Sequence, residues 1–248
     1  MQILIYQDKH KMGSAMAERG AALIQQAIAQ DGHAFIILAT GASQFELLAA
    51  LITKSDIDWS KVTAFHLDEY VGLPATHKAS FRQYLQTRFV QHIPNLCQFV
   101  DVKGDAADLP GEIARLNAEI EGKKIAVCFA GIGENAHLAF NDPPANFETR
   151  APYHIVDLDD ACRRQQLGEG WFPTLEDVPR QAISMSIRQM LAAECLVLTV
   201  PDLRKAEAVQ QAIEGPLTPH CPASILRLHP HCVLALDEPS ASLLQTRP

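Results

Sequence analysis

Along the 248-residue chain, short apolar runs alternate with longer segments in which apolar residues recur every three or four positions. The runs at 3–6, 35–39, 62–67, 97–102, 125–130, 153–158, 182–187, 195–200 and 233–236 have the length and apolar content of strands. Between them, 14–30, 44–53, 79–89, 106–121 and 203–214 carry apolar residues at the spacing of one helix face, and Gly32 and Gly215 stand just past two of the ends. A turn or short helix is expected at 188–193. Residues 159–179 follow neither period: R-R-Q-Q, G-E-G-W-F-P and V-P read as an irregular segment, long enough to suggest a lid or binding loop. This alternation predicts an α/β fold, a doubly wound, mostly parallel sheet with helices on both faces in the Rossmann-like manner. The length fits one domain over 1–248, and no internal repeat or low-complexity tract interrupts it.

The run at 125–130 is the organising strand. It breaks at Gly131 and Gly133 into a segment dense in polar side chains, with Glu134, Asn135, His137, Asn141 and Asp142 close behind the strand's carboxyl end. Open α/β sheets place their ligands there, although a loop with His137 bonded to a backbone carbonyl gives the same pattern. The strand at 35–39 runs into Thr40-Gly41-Ala42-Ser43 and then a helix. A small hydroxyl-bearing turn at that position lets N–H groups and hydroxyls converge on an anion; equally, Ser43 can serve as a helix cap. After the strand at 62–67 come Asp68 and Glu69. Adjacent carboxylates point in different directions, so at most one faces a pocket, and Asp68 is the candidate general base. Arg204 and Lys205 sit in the first turn of the helix at 203–214, where they oppose the helix dipole; they point at an anion or are simply solvated.

Composition narrows the classes. Apolar residues make up 48% and charged residues 20%, ordinary values for a folded globular chain. With a net charge of −8 and 21 basic residues spread without a cluster, nucleic acid is not an expected partner. No run of about 18 apolar residues is present, so no membrane span is expected. The start M-Q-I-L-I-Y passes directly into Asp8 and Lys9 without a signal-peptide pattern, which points to the cytoplasm. Six cysteines are scattered without a C-x-x-C pair and read as reduced thiols; Cys221, His229, His231 and Cys232 are zinc-ligating types, but their spacing is not that of a paired-ligand site.

These stretches, L-A-T-G-A-S, F-H-L-D-E-Y-V-G-L-P, G-I-G-E-N-A-H-L-A-F-N-D-P, R-K-A-E-A-V-Q-Q-A-I-E-G and L-H-P-H, resemble the glucosamine-6-phosphate deaminase (isomerase) family, which shares a superfamily with the 6-phosphogluconolactonases. The resemblance covers nearly the whole chain. It favours the deaminase branch, because the second loop of the lactonases is usually D-G-H-T-A-S. It implies an aldose–ketose isomerisation coupled to loss of a 2-amino group as ammonia, acting on a phosphorylated amino sugar without metal or organic cofactor. By resemblance, Asp68 is the proton shuttle and His137 opens the sugar ring, with Asn135 and Asp142 beside it. The implied substrate-binding set is Thr40, Gly41, Ala42, Ser43, Lys205, Glu69 and Gly133, with Arg164 as the counterpart of the family's phosphate-binding arginine in the irregular segment.

Three departures stand out. The family loop is commonly G-N-D-G-H-I-A-F-N-E-P, so an Asp is replaced by Asn135, a Gly by Ala136 and a Glu by Asp142. Asn135 is expected to bond the imidazole without offering charge to an imidazolium. A similar Asn occurs in relatives acting on galactosamine 6-phosphate, which leaves the identity of the sugar open. The chain ends at Pro248, so the C-terminal extension that helps form an allosteric site in some relatives is not expected, and a homo-oligomer remains open. Two other readings share the residues: a sugar-phosphate lactone hydrolase in which His137 activates water, and a non-catalytic phosphosugar sensor. Ammonia release, lactone loss and binding without turnover separate the three.

Overall fold

In the computed structural model, which describes residues 1–245, strand and helix alternate from the start. β1 (Gln2–Tyr6) leads through α1 (Lys9–Asp31) to β2 (Ala34–Leu38), and α2 (Phe45–Leu51) leads to β3 (Val62–His66). β4 (Asp68–Tyr70), α3 (Phe81–Arg88), β5 (Gln98–Val100), α4 (Leu109–Ile120) and β6 (Ile125–Ala130) come next. β7 (Tyr153–Asp157), α5 (Asp160–Gly168), β8 (Gln181–Met185), α6 (Ile187–Leu191), β9 (Leu196–Val200), α7 (Ala206–Glu214) and β10 (Cys232–Asp237) complete the order.

A seven-stranded parallel sheet runs β1-β10-β9-β6-β2-β3-β5. The order reverses between β2 and β6: β2, β3 and β5 proceed towards one edge, while β6, β9 and β10 proceed towards the other. Such a switch point opens a crevice at the carboxyl ends of the strands. Parallel strands covered on both faces must be apolar on both, and successive residues feed two separate cores. Ile36, Leu38, Val127 and Phe129 pack with α1, α2 and α3, whereas Ile37, Ala39, Cys128 and Ala130 pack with α4, α6 and α7. The expected doubly wound α/β fold is therefore the observed one.

The first departure is at Asp68. Rather than lying in a loop behind β3, it opens β4, part of a three-stranded antiparallel sheet, β4-β8-β7. Leu67 joins the sheets: its N–H donates to Leu38 O (3.1 Å), and its carbonyl accepts from Met185 N (3.0 Å). The second is the supposedly structureless 159–179, which contains α5. Its apolar period is missing because the buried positions are Cys162, Arg163 and Gln166. Arg163 can be buried because its guanidinium donates to Leu175 O (2.6 Å) and Val178 O (3.2 Å). The signal that was present is the N-cap: Asp159 accepts from Cys162 N at 2.6 Å. Smaller shifts follow the same logic. α1 begins at Lys9 because Asp8 caps it, and α4 begins at Leu109 because Asp108 accepts from Gly111 N. Residues Leu203–Lys205 form a 3-10 turn ahead of α7, and Pro222–Leu228 form a further 3-10 helix that carries no apolar period.

α1 meets α2 through a glycine. A Cβ on Gly13 would lie 2.4 Å from Glu46 Cβ and 2.7 Å from the Glu46 carbonyl carbon, so the helices approach as closely as they do only because Gly13 has no side chain. In an open helix, Gly→Ala stabilises by roughly 1 kcal/mol. Here overpacking against backbone outweighs that gain, and Gly13→Ala is expected to lower stability by about 1 kcal/mol or more. Urea unfolding at unchanged m-value checks it; a rise in the midpoint would show that α2 can move aside.

Candidate active site

The two loops that part at the switch point line a cavity of about 500 Å3. Thr40, Gly41, Ala42 and Ser43 contribute from the turn after β2, Asp68 from β4, Gly133 and His137 from the loop after β6, and Lys205 from the turn before α7. Eight of the residues singled out from the sequence thus meet in one place. The turn after β2 is fixed from behind. Tyr84 donates its hydroxyl to Gly41 O (2.9 Å), and the buried Gln44 amide nitrogen reaches Ser43 Oγ, Ala130 O and Thr199 Oγ1, each at 3.0 Å. Thr199 in turn donates to Ser43 O (2.9 Å).

α2 has only seven residues, so its dipole is small, and the attraction for an anion rests mainly on side chains. Lys205 is buried, and among the described residues no carboxylate forms an ion pair with it. Burial pulls its ammonium below the ordinary lysine value, while the charges of Glu169 and Glu134 oppose the fall. A buried cation lacking a partner favours an anionic ligand. Arg204, also at the cavity, lies 3.5 Å from Glu134 and 3.3 Å from Asp202. Lys9 lines the cavity from the start of α1, paired with Glu46 at 3.1 Å.

Asp68 and Glu69 part company because neighbouring residues of a strand face opposite ways. Asp68 turns to the cavity; burial, with the Glu69 charge adding to it, pushes its carboxyl up to about 8. Glu69, expected among the substrate ligands, turns away. Its carboxylate accepts from Tyr70 N, Ser80 Oγ, Phe81 N and Arg82 N at 2.7–3.2 Å, which ties β4 to the N-terminus of α3. Two of those donors, Phe81 N and Arg82 N, are N–H groups that the start of α3 leaves without an intrahelical partner, and Glu69 meets them.

His137 lies against Gly133: a Cβ there would be 2.3 Å from His137 Nε2, so any side chain at 133 would displace the ring. The other ring nitrogen, Nδ1, bonds Asp142 Oδ1 at 2.9 Å. Asn135 does not touch the imidazole, contrary to expectation. Its Oδ1 accepts from His137 N (3.2 Å), while its Nδ2 donates to Asp142 Oδ1 (3.0 Å) and Asp159 Oδ2 (3.3 Å). The amide therefore acts on the carboxylate partner. Burial raises the Asp142 carboxyl, but the bonds from His137, Asn135 and Asp159 N outweigh it and hold Asp142 below the usual carboxylate value. Ala136 adopts φ 65°, a left-handed conformation costing an L-residue roughly 1 kcal/mol, at the position where the related pattern has Gly.

Arg164 is exposed and does not line the cavity, so the arginine expected from the irregular segment does not reach it. Arg163 beside it is bound to backbone carbonyls, and Arg204 is the arginine at the site. Sequence pattern did not single out Gln165, Gln166, Glu169, Lys9 and Asp237, which also line it. Gln165 accepts from Glu134 N (2.8 Å) and donates to Glu169 (3.0 Å), so α5 is attached to the loop after β6. The signal for the α5 residues was the N-cap of a helix without an apolar stripe. The four zinc-ligating types near the C-terminus do not form a cluster: His229 bonds Ala193 O (2.9 Å) and His231 N (3.2 Å). Among the described residues no helix is long and apolar enough to cross a membrane.

Fold and site define a class: an open α/β-sheet protein that can hold a small anionic molecule at its switch point and move protons with a buried carboxyl and a histidine–carboxylate pair. The chain belongs to the family described as glucosamine-6-phosphate isomerases/6-phosphogluconolactonase, whose model matches residues 7–234. The glucosamine-6-phosphate deaminase of Bacillus cytotoxicus is 34% identical over 243 residues, covering 98% of this chain and 89% of the relative. That of Oenococcus oeni is 34% identical over 230 residues, covering 93% and 94%. The solved structure of a monomeric glucosamine-6-phosphate deaminase matches with a TM-score of 0.88 at 29% identity, covering 98% of this chain and all of the other. A 6-phosphogluconolactonase from Shewanella baltica, at a TM-score of 0.79 and 18% identity over 96% and 97% of the chains, shares the fold.

The buried Asp68 carboxyl has a consequence for stability. Its folded pKa of about 8 lies above the unfolded value of about 4, so folding binds the proton, and stability is lost as pH rises from the unfolded towards the folded value. Asp68→Asn removes that loss. The variant is expected to be more stable than wild type by an amount that is small near pH 4, grows through neutrality and levels off above about 8, reaching on the order of 5 kcal/mol. Urea unfolding of both proteins across this range measures it; a constant difference would mean that Asp68 ionises as freely folded as unfolded.

Proposed function

We propose that this chain is a glucosamine-6-phosphate deaminase: it converts the amino-sugar phosphate and water to a ketose 6-phosphate and ammonia, without a metal or organic cofactor. The observation that carries this reading is the joint presence, in one cavity, of a buried Lys205 with no ion pair among the described residues and two proton-transfer candidates, Asp68 and His137. Lys205 follows β9 and Asp68 follows β3, three strands along in the sheet order β9-β6-β2-β3. At about 4.8 Å per strand this is roughly 14 Å, room for a six-carbon chain between an anion and a carboxyl group.

In the proposed sequence the phosphate lies on Lys205, Arg204 and the Thr40–Ser43 turn. His137, held through Nδ1 by Asp142, transfers a proton from the anomeric hydroxyl to the ring oxygen, and the pyranose ring opens at its C1–O5 bond to leave an aldehyde at C1. The hydrogen at C2 is then acidic, because the adjacent carbonyl accepts the electron pair. Asp68, as carboxylate, takes that proton while the C1 carbonyl oxygen gains one from solvent to give the enolamine, and then returns it to C1, leaving a hydroxyl at C1 and an iminium at C2. Water adds to C2, and ammonia leaves to give the ketone. The raised pKa of Asp68 suits proton abstraction from carbon, since a carboxyl that titrates near neutrality is a stronger base than an ordinary carboxylate.

Ammonia and ketose phosphate are measured together with glucosamine 6-phosphate, galactosamine 6-phosphate and a 6-phosphate lactone as substrates. Ammonia from the glucosamine compound, with no acceleration of lactone loss, is the expected result; lactone loss alone, or binding without turnover, would replace the proposal with a hydrolase or a sensor. Asp68→Asn is expected to lower kcat by at least about a hundredfold. In the wild type kcat/KM should rise with pH and level off above about 8, since the ionised form is the base and this ratio reports the free enzyme. A profile already flat at pH 6 would remove Asp68 from that role.

Lys205→Ala tests the other end of the cavity. It should raise KM for the phosphorylated substrate at least about tenfold, a loss of roughly 1.4 kcal/mol, with a much smaller effect on unphosphorylated glucosamine. Equal effects on both compounds would show that Lys205 does not bind the phosphate.

A further inference from the structure

Behind the His137 ring lies a group of side chains that the proposed reaction does not fully use. A ring nitrogen of His137, a carboxylate oxygen of Asp142 and the sulfur of Cys162 all lie within 4.8 Å of one another, the only such gathering of metal-ligating side chains among the described residues. Two come from the loop after β6 and the third from the first turn of α5, so the set joins separate segments. We propose that His137, Asp142 and Cys162 form a binding site for a zinc-like divalent ion, which inhibits the enzyme by taking the histidine–carboxylate pair out of proton transfer.

The donor set is nitrogen, oxygen and sulfur, the combination that suits zinc or cobalt and not magnesium or calcium. Bonds of about 2.0–2.3 Å in a tetrahedron hold ligand atoms roughly 3.3–3.7 Å apart. The Nδ1–Oδ1 separation of 2.9 Å is already close to this, so a rotation of Cys162 with a small widening of the pair makes the site. Charge also fits: a carboxylate and a thiolate neutralise a dication, and the thiol proton leaves to solvent as the metal–sulfur bond forms.

The surrounding bonds orient the ligands in the way metal sites require. Asp142 Oδ1 accepts from Asn135 Nδ2 (3.0 Å) and Oδ2 from Asp159 N (3.0 Å), while Asp159 Oδ1 accepts from Cys162 N (2.6 Å). Asn135 and Asp159 thus position both Asp142 and the backbone that carries the sulfur. An ion held there would occupy Nδ1 of the ring and the oxygen that now bonds it. It would also fasten α5 to the loop after β6.

Binding stands on the geometry alone, whereas inhibition rests on the proposed role of His137, and the experiment separates the two. Cobalt(II) is added to the full-length wild type, to Cys162→Ser and to Cys97→Ser, the last a control for the exposed thiol. The expected result is a thiolate-to-cobalt charge-transfer band that saturates with a single equivalent in wild type and Cys97→Ser, and is absent in Cys162→Ser. Zinc should abolish the band and inhibit deamination, with Cys162→Ser requiring at least about tenfold more zinc. No band in wild type, or a band or zinc sensitivity unchanged in Cys162→Ser, overturns the site. A band that depends on Cys162 in a protein that does not deaminate, or that zinc does not inhibit, supports the site and overturns its inhibitory role. If Cys162→Ser fails to fold, zinc-edge X-ray absorption of the wild-type complex decides directly: one sulfur in the coordination shell supports the site, and none overturns it.

Discussion

Two loops that diverge from neighbouring strands leave a crevice only if something holds them at a fixed separation, and here that is the side-chain amide of Gln44. Fully buried, it reaches the hydroxyl of Ser43, the carbonyl that ends β6 and Thr199 in β9. Two amide hydrogens are shared among these three acceptors, and the bonds are worth about 2 kcal/mol net together. Their importance is positional. The turn after β2, the start of the glycine loop and the strand that delivers Lys205 are all referred to one nitrogen, so the turn cannot shift without disturbing the opposite wall. Gln44 Oε1, which has no hydrogen-bond partner among the described residues, belongs to the same buried amide.

Asp68 and Glu69 show how strand geometry separates chemistry from architecture. Both are buried, and both would be unfavourable as bare charges. Glu69 accepts from Tyr70 N in β4 and from three donors at the start of α3, which oppose the rise that burial gives its carboxyl and make it a structural tie. Among the described residues Asp68 has no comparable set of donors, and burial beside Glu69 makes it reluctant to ionise. A single residue of strand phase decides which carboxyl is which. Leu67, bonded to one sheet through its N–H and to the other through its carbonyl, fixes that phase.

Much of this could be read from the chain because the strands of a doubly wound sheet are apolar on both faces and end in glycine or small polar residues. That pattern located β2, β3, β6 and β9, and with them Thr40 to Ser43, Asp68, His137 and Lys205. What escaped lacks such a pattern. α5 buries an arginine, a glutamine and a cysteine, so neither its existence nor the lining by Gln165, Gln166 and Glu169 left an apolar period to detect. Glu69 and Arg164 were misplaced because family resemblance transfers residue types, while the direction of a side chain depends on strand phase and helix register. Asn135 was assigned to the wrong neighbour for a related reason: it lies two residues from His137 in sequence, yet its amide hydrogens point to Asp142 and Asp159.

The polar character of α5 has a mechanical side. A wall of the cavity built from leucines would expose apolar area on lifting, at about 25 cal/mol per Å2. α5 is held instead by Gln165 to Glu134, by Arg163 to the carbonyls of Leu175 and Val178, and by Asp159 to Asp142 and Asn135. Water can replace every one of these bonds. Of the α5 residues, Cys162 and Leu167 join an apolar cluster with Tyr70, Phe140 and Phe172, so lifting the helix uncovers a small apolar contact and exchanges the rest for water, which makes α5 the wall of the cavity that opens at least cost.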